Sequence, residues 1–517
     1  MKLNYKRTIC VGFAFFLICA FWQAYDNTIP LILTNKFGMS QAWSGVIMAL
    51  DNILALFLLP LFGAISDKHT GRRGRRTPFI VFGTIVAAIA FISLSLVDDA
   101  QLKNIDAAAA IDDPAALRVV YQQEADRTLK TPDGETFVLE DTFTEDEFAA
   151  ITSQVTNAEG KTVTNHDYTN YVVPARQAYA HQTTVQHPGA LIGFIVLLLV
   201  VLVAMATFRS PAVALMPDVT IKPLRSKANA VINLMGTAGG ILVLAIGMAF
   251  ATSSVRNSLM SYTAYFAVIA GIMLVALLIF RLTVNEPKSV AEMQADSKRF
   301  GIDNGDDEAP AGSGKLGKAE RRSLIFLLLS IVLWFFGYNA VTSKYSVYAS
   351  NILHKDYNLT LMLAQAAAIV AYLPVGIVAS KIGRKKTILG GVVMLAVAFG
   401  VAAFLNAESP TMLMNAMFCL AGIGWATINV NSFPMVVEMC SGSDVGRYTG
   451  FYYTASMAAQ VVTPMFSGFL MDKLGMTVLF PYATIFVAGA FVTMLFVRHG
   501  DSRPIPAKGL EALDVDD

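Results

Sequence analysis

Charge is what this chain has least of. Only 15% of its 517 residues are Asp, Glu, Lys or Arg, against 55% hydrophobic residues, and the mean hydropathy is +0.54. A soluble protein of this length needs far more charge to cover its surface. The net charge of +1 carries no sign of nucleic-acid binding, because the basic residues sit between hydrophobic runs. Cysteine is scarce as well. Cys10, Cys19, Cys419 and Cys440 lie in or beside apolar segments, so no disulfide framework is implied. His69, His166, His181, His187, His354 and His499 show no metal-ligand spacing. No phosphate-cradling Gly-Lys-Thr loop is found, so ATP has no site as direct energy source. No cofactor, no metal and no enzyme constellation is expected.

What fills the chain instead is apolar runs long enough to cross a hydrocarbon core of roughly 30 Å. Hydropathy predicts spans at 8–34, 43–66, 77–97, 189–209, 228–251 and 262–284, then at 323–345, 360–380, 386–406, 411–437, 449–470 and 477–498. The first run follows Lys2, Lys6 and Arg7 like a signal peptide, yet it is too long and lacks a small-residue cleavage site. It is expected to be a retained helix. The fold class is therefore an all-α membrane protein with twelve transmembrane helices.

Orientation follows from the bias of positive charge toward the cytoplasm. Lys68, Arg72, Arg73, Arg75 and Arg76 separate spans two and three, and Lys222, Arg225 and Lys227 follow span four. Lys315, Lys318, Arg321 and Arg322 precede span seven, and Lys381, Arg384, Lys385 and Lys386 follow span eight. All fall on one side if both termini are cytoplasmic, in an inner or plasma membrane. Two polar stretches interrupt the pattern. Residues 285–322 link the halves and read as a flexible cytoplasmic linker. Residues 98–188 form an acid-rich extracytoplasmic insert between spans three and four. Strand-like pieces at 134–139 and 161–164 leave two alternatives, a small folded cap or a disordered loop. The domains expected are 1–97 and 189–284 for the first bundle, 323–498 for the second, and a cytoplasmic tail at 499–517.

The halves resemble each other. Gly63-Ala-Ile-Ser-Asp67 leads to Gly74-Arg75-Arg76, and Gly376-Ile-Val-Ala-Ser380-Lys381 leads to Gly383-Arg384-Lys385-Lys386. Tyr25-Asp26 has a counterpart in Tyr338-Asn339. Two related six-helix halves are the architecture expected for alternating access around a midplane site.

Gly63-x-x-x-Asp67 followed by a basic Gly-Arg-Arg resembles the signature loop of the major facilitator superfamily. The longer stretch from Ser66 to Ile80 resembles the sucrose/proton symporters and their relatives among the glycoside–pentoside–hexuronide carriers. Ala214-Leu215-Met216-Pro217-Asp218, Arg225-Ser226-Lys227-Ala228-Asn229-Ala230, Gly424-Trp425-Ala426-Thr427 with Pro434, and Gly446 to Gln460 point the same way. The resemblance covers all the spans but not the insert. It implies two pseudo-symmetric bundles of the major facilitator fold. Plant sucrose carriers have a fourth-span arginine where this chain aligns Val213, and an acid where it aligns Leu202. Melibiose carriers hold sodium on carboxylates aligned here with Ala55 and Leu59.

An acid inside a span costs on the order of 2.5 kcal/mol or more at the helix centre, so each needs a reason. Asp26 and Asp51 lie at similar depth from the outer end of spans one and two, and are the candidates for proton coupling. Sugar recognition needs amides, carboxylates or hydroxyls and an apolar plate. The candidates are Gln23, Asn27, Asn52, Asn233, Tyr338, Asn339, Trp425, Asn429, Asn431 and Gln460, with Trp425 and Asn429 the most attractive pair. Helix stitching is the competing role for each amide. Lys344 is expected to snorkel to the interface. For a cytoplasmic gate the residues are Asp67 with Arg75 or Arg76, Asp218 with Arg225, Glu438 with Arg447, and Arg384. The expected function is a proton-coupled symporter of a sugar or glycoside, acting as a monomer. The alternatives are an exporter or antiporter of an amphiphile, and a transporter-like sensor whose insert binds a ligand or partner.

Overall fold

The computed structural model describes residues 3–157, 160–221, 224–300, 317–437, 439 and 445–500. Three helices open the chain, α1 (Tyr5–Asn35), α2 (Gln41–Lys68) and α3 (Thr77–Asn104). The insert follows with α4 (Asp106–Ala109), α5 (Pro114–Glu124), β1 (Thr128–Lys130), β2 (Thr136–Val138), α6 (Leu139–Thr142), α7 (Glu145–Ala149), β3 (Gln154–Thr156), β4 (Thr162–Thr164) and α8 (Val173–Gln186). Helices α9 (Gly189–Asp218), α10 (Arg225–Ala249) and α11 (Thr263–Thr283) complete the first bundle. After α12 (Glu286–Phe300), the second bundle comprises α13 (Lys318–Tyr348), α14 (Tyr357–Ile382), α15 (Arg384–Ala402), α16 (Thr411–Val437), α17 (Val445–Leu474) and α18 (Leu479–Leu495).

The chain is thus a membrane protein of twelve long helices in two six-helix bundles. Among the described residues, ten helices are long and apolar enough to cross a membrane by length and composition. Helices suit that solvent because each satisfies its own backbone hydrogen bonds. Large apolar side chains such as Phe57, Phe82, Leu282 and Ile485 stand exposed on the outer faces, where lipid replaces water. Inside, each bundle has its own core. Phe21, Phe91, Phe208 and Phe266 centre the first, with Phe91 and Phe266 stacked at 4.1 Å. Trp334, Tyr345, Phe418 and Phe480 centre the second.

The insert is folded, which resolves the alternative left open by its sequence. Leu117, Leu129, Leu139, Phe148 and Tyr168 are buried in a core of its own. The two strand-like pieces become β2 and β4, each paired antiparallel with the strand before it. Asp113 caps α5, and Thr144 with Glu147 forms a capping box on α7. Its root is rigid, because α3 continues past its expected end at 97 to Asn104. There Lys36 and Asp98 form an ion pair of 2.6 Å with both side chains fully buried. Lys36 also donates to Met260 O at 2.6 Å, and Gln101 bonds Lys36 O and Thr184 Oγ1. Removing one partner of such a pair costs about 3–5 kcal/mol.

The segment expected as a flexible linker begins as a helix, α12, which Arg7 ties to α1 through Glu292 at 3.0 Å. Below, the bundle end that carries the insert is the insert side, and the end that carries residues 68–77 is the loop side.

Candidate transport pathway

Asp26 and Asp51 meet in one cavity. Helix α1 ends at Asn35 and α2 begins at Gln41, so each carboxylate lies about 14 Å from the insert-side end of its helix. A cavity of about 200 Å³ at the junction of the bundles is lined by Trp22, Asp26, Met48, Asp51, Asn52 and Arg209 from the first bundle. Asn339, Thr342, Ser343, Gln460 and Pro464 close it from the second. Asp51 accepts from Asn52 Nδ2 at 2.7 Å, and the Arg209 guanidinium lies 5.5 Å from the centre of the Trp22 ring. Two buried donors on this wall, Trp22 Nε1 and Asn339 Nδ2, have no hydrogen-bond partner in the described protein.

Asn52, Arg209 and Gln460 also line a second space of about 690 Å³, which extends toward the loop side. Its polar wall includes Asn229, Asn233, Thr237, Tyr372, Asn429 and Ser456, and its apolar wall includes Leu59, Phe335, Ile369, Phe433 and Met457. Among the described residues that line it, Arg209 alone is charged. A long-range field in so small a polar space is focused rather than screened.

Sequence reasoning missed Arg209. It sought the fourth-span arginine at Val213, which is half exposed on the outer face of α9. The cavity arginine stands one helical turn earlier. The usable signal was plain: before Asp218, Arg209 is the only charged residue in α9.

Of the residues singled out for substrate, Asn52, Asn233, Asn339, Asn429 and Gln460 face the two cavities. The other five do not line them. Trp425 is no free plate, because Tyr338 stacks on it at 3.7 Å with near-parallel rings and Phe335 meets its edge. Asn431 is buried and donates to Thr427 O within its own helix. Asn27 is buried in α1. Gln23 accepts from Gln365 of α14, a stitch between the bundles. Gln23 thus takes the stitching role, while the bond of Asn431 stays inside its own helix.

On the insert side the bundles are sealed. Lys344 does not snorkel. It is fully buried, and its Nζ donates to Gln41 O of α2 at 2.6 Å. Asp472 of α17 accepts from the backbone N–H of Gln41 and of Ala42, both at 2.8 Å. A carboxylate at a helix start satisfies amides that lack an intrahelical partner. Below it, a Cβ on Gly45 would lie 2.0 Å from Pro464 O, so the two helix backbones touch. A second seam joins Thr252 to Tyr357 OH at 2.7 Å and to Asn358 Nδ2 at 3.1 Å.

At the loop side, the described ion pairs stay within the first bundle. Arg75 bonds Asp218 through Nε at 3.1 Å and Nη2 at 2.6 Å. Arg76 pairs with Asp67 and, at 2.9 Å, with Asp218. The described partners of Asp218 are therefore these two arginines. The side chains of Arg225 and Arg447, and all of Glu438, lie outside the described residues. Arg384 is buried at the start of α15. Glu286 was overlooked because it sat in the supposed linker. Its buried carboxylate accepts from the N–H of Arg75, Arg76 and Thr77 at 2.7–2.9 Å and from Thr77 Oγ1 at 2.7 Å. Gly74, at φ +98°, leaves the space that carboxylate occupies.

Two helical bundles that meet around a polar cavity, sealed at one end and extended toward the other, define a membrane transporter. The Major Facilitator Superfamily profile matches residues 183–364 and 346–513, and the profile described as MFS/sugar transport protein matches residues 10–100. The chain belongs to the Major Facilitator Superfamily. It is similar to the MFS-type transporter ppzB of Metarhizium rileyi (strain RCEF 4871), 24% identical over 147 residues that make up 28% of this chain and 29% of that protein. It is similar also to the sucrose transport protein SUC4 of Arabidopsis thaliana, 40% identical over 55 residues, 11% of either chain. These alignments thus span less than a third of each relative's length. The fold is shared with the xylose transporter XylE from E. coli in an inward open conformation, with a TM-score of 0.57, 14% identity and 98% of both chains covered. A D-xylose-proton symporter structure aligns with a TM-score of 0.54 and 14% identity, over 96% of this chain and 99% of its own.

Proposed function

We propose that this chain is a proton-coupled symporter that carries a sugar or glycoside into the cell by alternating access. The observation that carries the reading is the shared cavity of Asp26, Asp51 and Arg209. Two carboxylates and one guanidinium sum to a charge of −1, and a single proton brings the cluster to zero. A cluster that is neutral when protonated can reorient through a low-dielectric seam at less cost than a charged one. Substrate entering the larger vestibule meets amides and hydroxyls from both bundles, and Arg209 offers it donors at the boundary with the carboxylates. Trp22 Nε1 and Asn339 Nδ2 are further donors that sugar oxygens would satisfy. Similarity to a sucrose transport protein, SUC4, and to a D-xylose-proton symporter supports this substrate class.

In this orientation the loop side faces the cytoplasm, both termini are cytoplasmic and the insert lies outside. The closed insert side and the vestibule on the loop side then correspond to an inward-facing state. Its proton and substrate would leave toward the cytoplasm past Asn233 and Tyr453.

The test is uptake of labelled disaccharides into vesicles under an imposed proton gradient. Symport requires accumulation that an uncoupler collapses; equilibration without accumulation would sink the reading. The aromatic and apolar wall of Phe335, Phe433, Tyr452, Tyr453 and Met457 favours a second reading, an exporter of an amphiphile. Inverted vesicles distinguish it, because an exporter would accumulate the amphiphile and ignore disaccharides.

A further inference from the structure

The insert belongs to the first bundle by its root but also grips the second. The turn between β1 and β2 lies against the α17–α18 connection, where Pro132 O accepts from Met476 N at 2.6 Å. Lys130 Nζ bonds Asp472 O at 3.1 Å, on the residue that caps α2. Approach is close enough that a Cβ on Gly475 would fall 2.2 Å from Asp133 O. A second contact reaches the loop between α13 and α14, where the rings of His166 and His354 lie 4.8 Å apart. His166 is exposed, whereas His354 is half-buried, with Nε2 buried and unpartnered. His354 also sits in the left-handed region, at φ +51°.

We infer that the insert is a proton-released latch, which holds the insert side shut through the 131–134 turn and the His166–His354 contact. The inference rests on the membership of a transporter family and not on the choice of sugar or proton as cargo. Rocking the bundles apart at the insert side must separate Pro132 from Met476 and His166 from His354, because the root of the insert is fixed to α1 and α3. The imidazole pair adds a condition. Burial, and then the neighbouring His166 and Lys355, push the His354 pKa down to about 4 while docked. Undocked and solvated, it returns to an ordinary value of about 6.5. The other ionisable neighbours are Asp167 beside His166 and Asp356, whose carboxylate is engaged by Asn358 N at 2.9 Å. Docking is therefore favoured above about pH 6.5 and weakens as pH falls from there toward 4. Between pH 7.5 and 5.5 the released-to-docked ratio should rise by about tenfold.

The test uses the purified full chain in lipid nanodiscs, with nitroxide labels at Gln154→Cys and Glu408→Cys and the native cysteines replaced. Asp26→Asn leaves the central cluster at net zero without a bound proton, so the bundles can rock at either pH, and the comparison with H354N separates the latch from the proposed coupling. Lowering the pH from 7.5 to 5.5 should move about tenfold more molecules, as a ratio, to the longer label separation. H354N, which tolerates the left-handed backbone and cannot titrate, should remove that response. Gly475→Val should lengthen the separation at pH 7.5. An oxidised Pro132→Cys/Met476→Cys pair should hold it short at both pH values, whereas Pro132→Cys alone, which cannot form the cross-link, should keep the shift. A pH-independent separation, or a response unchanged in H354N, overturns the proton release. Opening of the oxidised pair, or no change on Gly475→Val, overturns the latch.

Discussion

Asp472, two residues from the end of α17, accepts the backbone N–H of Gln41 at 2.8 Å and so caps a helix of the opposite bundle. Lys344, from α13, takes the carbonyl of the same Gln41. One residue at the start of α2 is therefore held by a carboxylate and an ammonium, both from the second bundle. Each such charge-assisted bond is worth roughly 1.5–3 kcal/mol.

Asp472→Asn or Lys344→Met should shift the resting conformation toward opening at the insert side. Loss of one bond of that size changes the equilibrium by about tenfold or more. Ser44, fully buried beside this seam, supplies the probe. As Ser44→Cys in a background without native cysteines, it should react several-fold faster with a membrane-impermeant maleimide in either variant. Equal rates in variant and parent would show that the seam is not the lock.

Glu286→Ala should destabilise the fold rather than alter recognition, because its carboxylate serves only the start of α3 and the signature loop. Three amides and a hydroxyl lose an acceptor, and the expected cost is about 2–4 kcal/mol. Thermal unfolding in detergent should show a lowered Tm, with ligand-induced stabilisation retained. Gly74→Val should act in the same direction by displacing the carboxylate. An unchanged Tm in both variants would mean that the loop is held by its arginine–aspartate pairs alone.

Much of this was legible in the sequence, and the reasons differ between elements. Helices announce themselves in lipid, since every span must be apolar over about 20 residues. The predicted 411–437 coincides with α16, and Gln41–Lys68 extends the predicted 43–66 by one turn or less at each end. Asp26 and Asp51 stood out because a carboxylate is conspicuous where nothing else is charged. What pattern could not supply was rotation. Asn429 faces the vestibule and Asn431 bonds back into its own helix, though only Val430 parts them. Trp425 has the right chemistry for a sugar plate and the wrong neighbour, Tyr338. Long-range partners were equally hidden. Glu286 lies in a polar, weakly hydrophobic stretch, and its role comes from residues more than two hundred positions earlier. Arg209 was visible as a lone charge but was passed over in favour of an aligned position one turn away.

Arg209→Ala should weaken substrate binding by about 10- to 100-fold, the range for loss of a charge-assisted hydrogen bond. Arg209→Lys keeps the charge but lacks the planar fork and should recover only part of the affinity. A thermal-shift screen across sugars measures both, since a ligand that binds the native state raises Tm by an amount that grows with the logarithm of its concentration over its Kd. The native chain should be stabilised by one or more sugars and Arg209→Ala by none at the same concentration. Retained stabilisation in Arg209→Ala would remove the guanidinium from the binding site.

Asp26→Asn decides the coupling. With one proton moved per substrate, a gradient of one pH unit supports about tenfold accumulation, since each unit is worth about 1.4 kcal/mol. Asn at position 26 matches the carboxylate in size and, with Asp51 ionised beside Arg209, leaves the cluster at net zero without a bound proton. The bundles can then reorient without a proton, so substrate should still equilibrate and exchange across vesicles while the tenfold accumulation falls to none. Asp51→Asn should slow or uncouple transport in the same assay. If it alone abolishes accumulation, Asp51 is the coupling acid and Asp26 its partner. Full accumulation in both single variants would separate the carboxylates from proton coupling altogether, and would leave their shared cavity as a polar binding site alone.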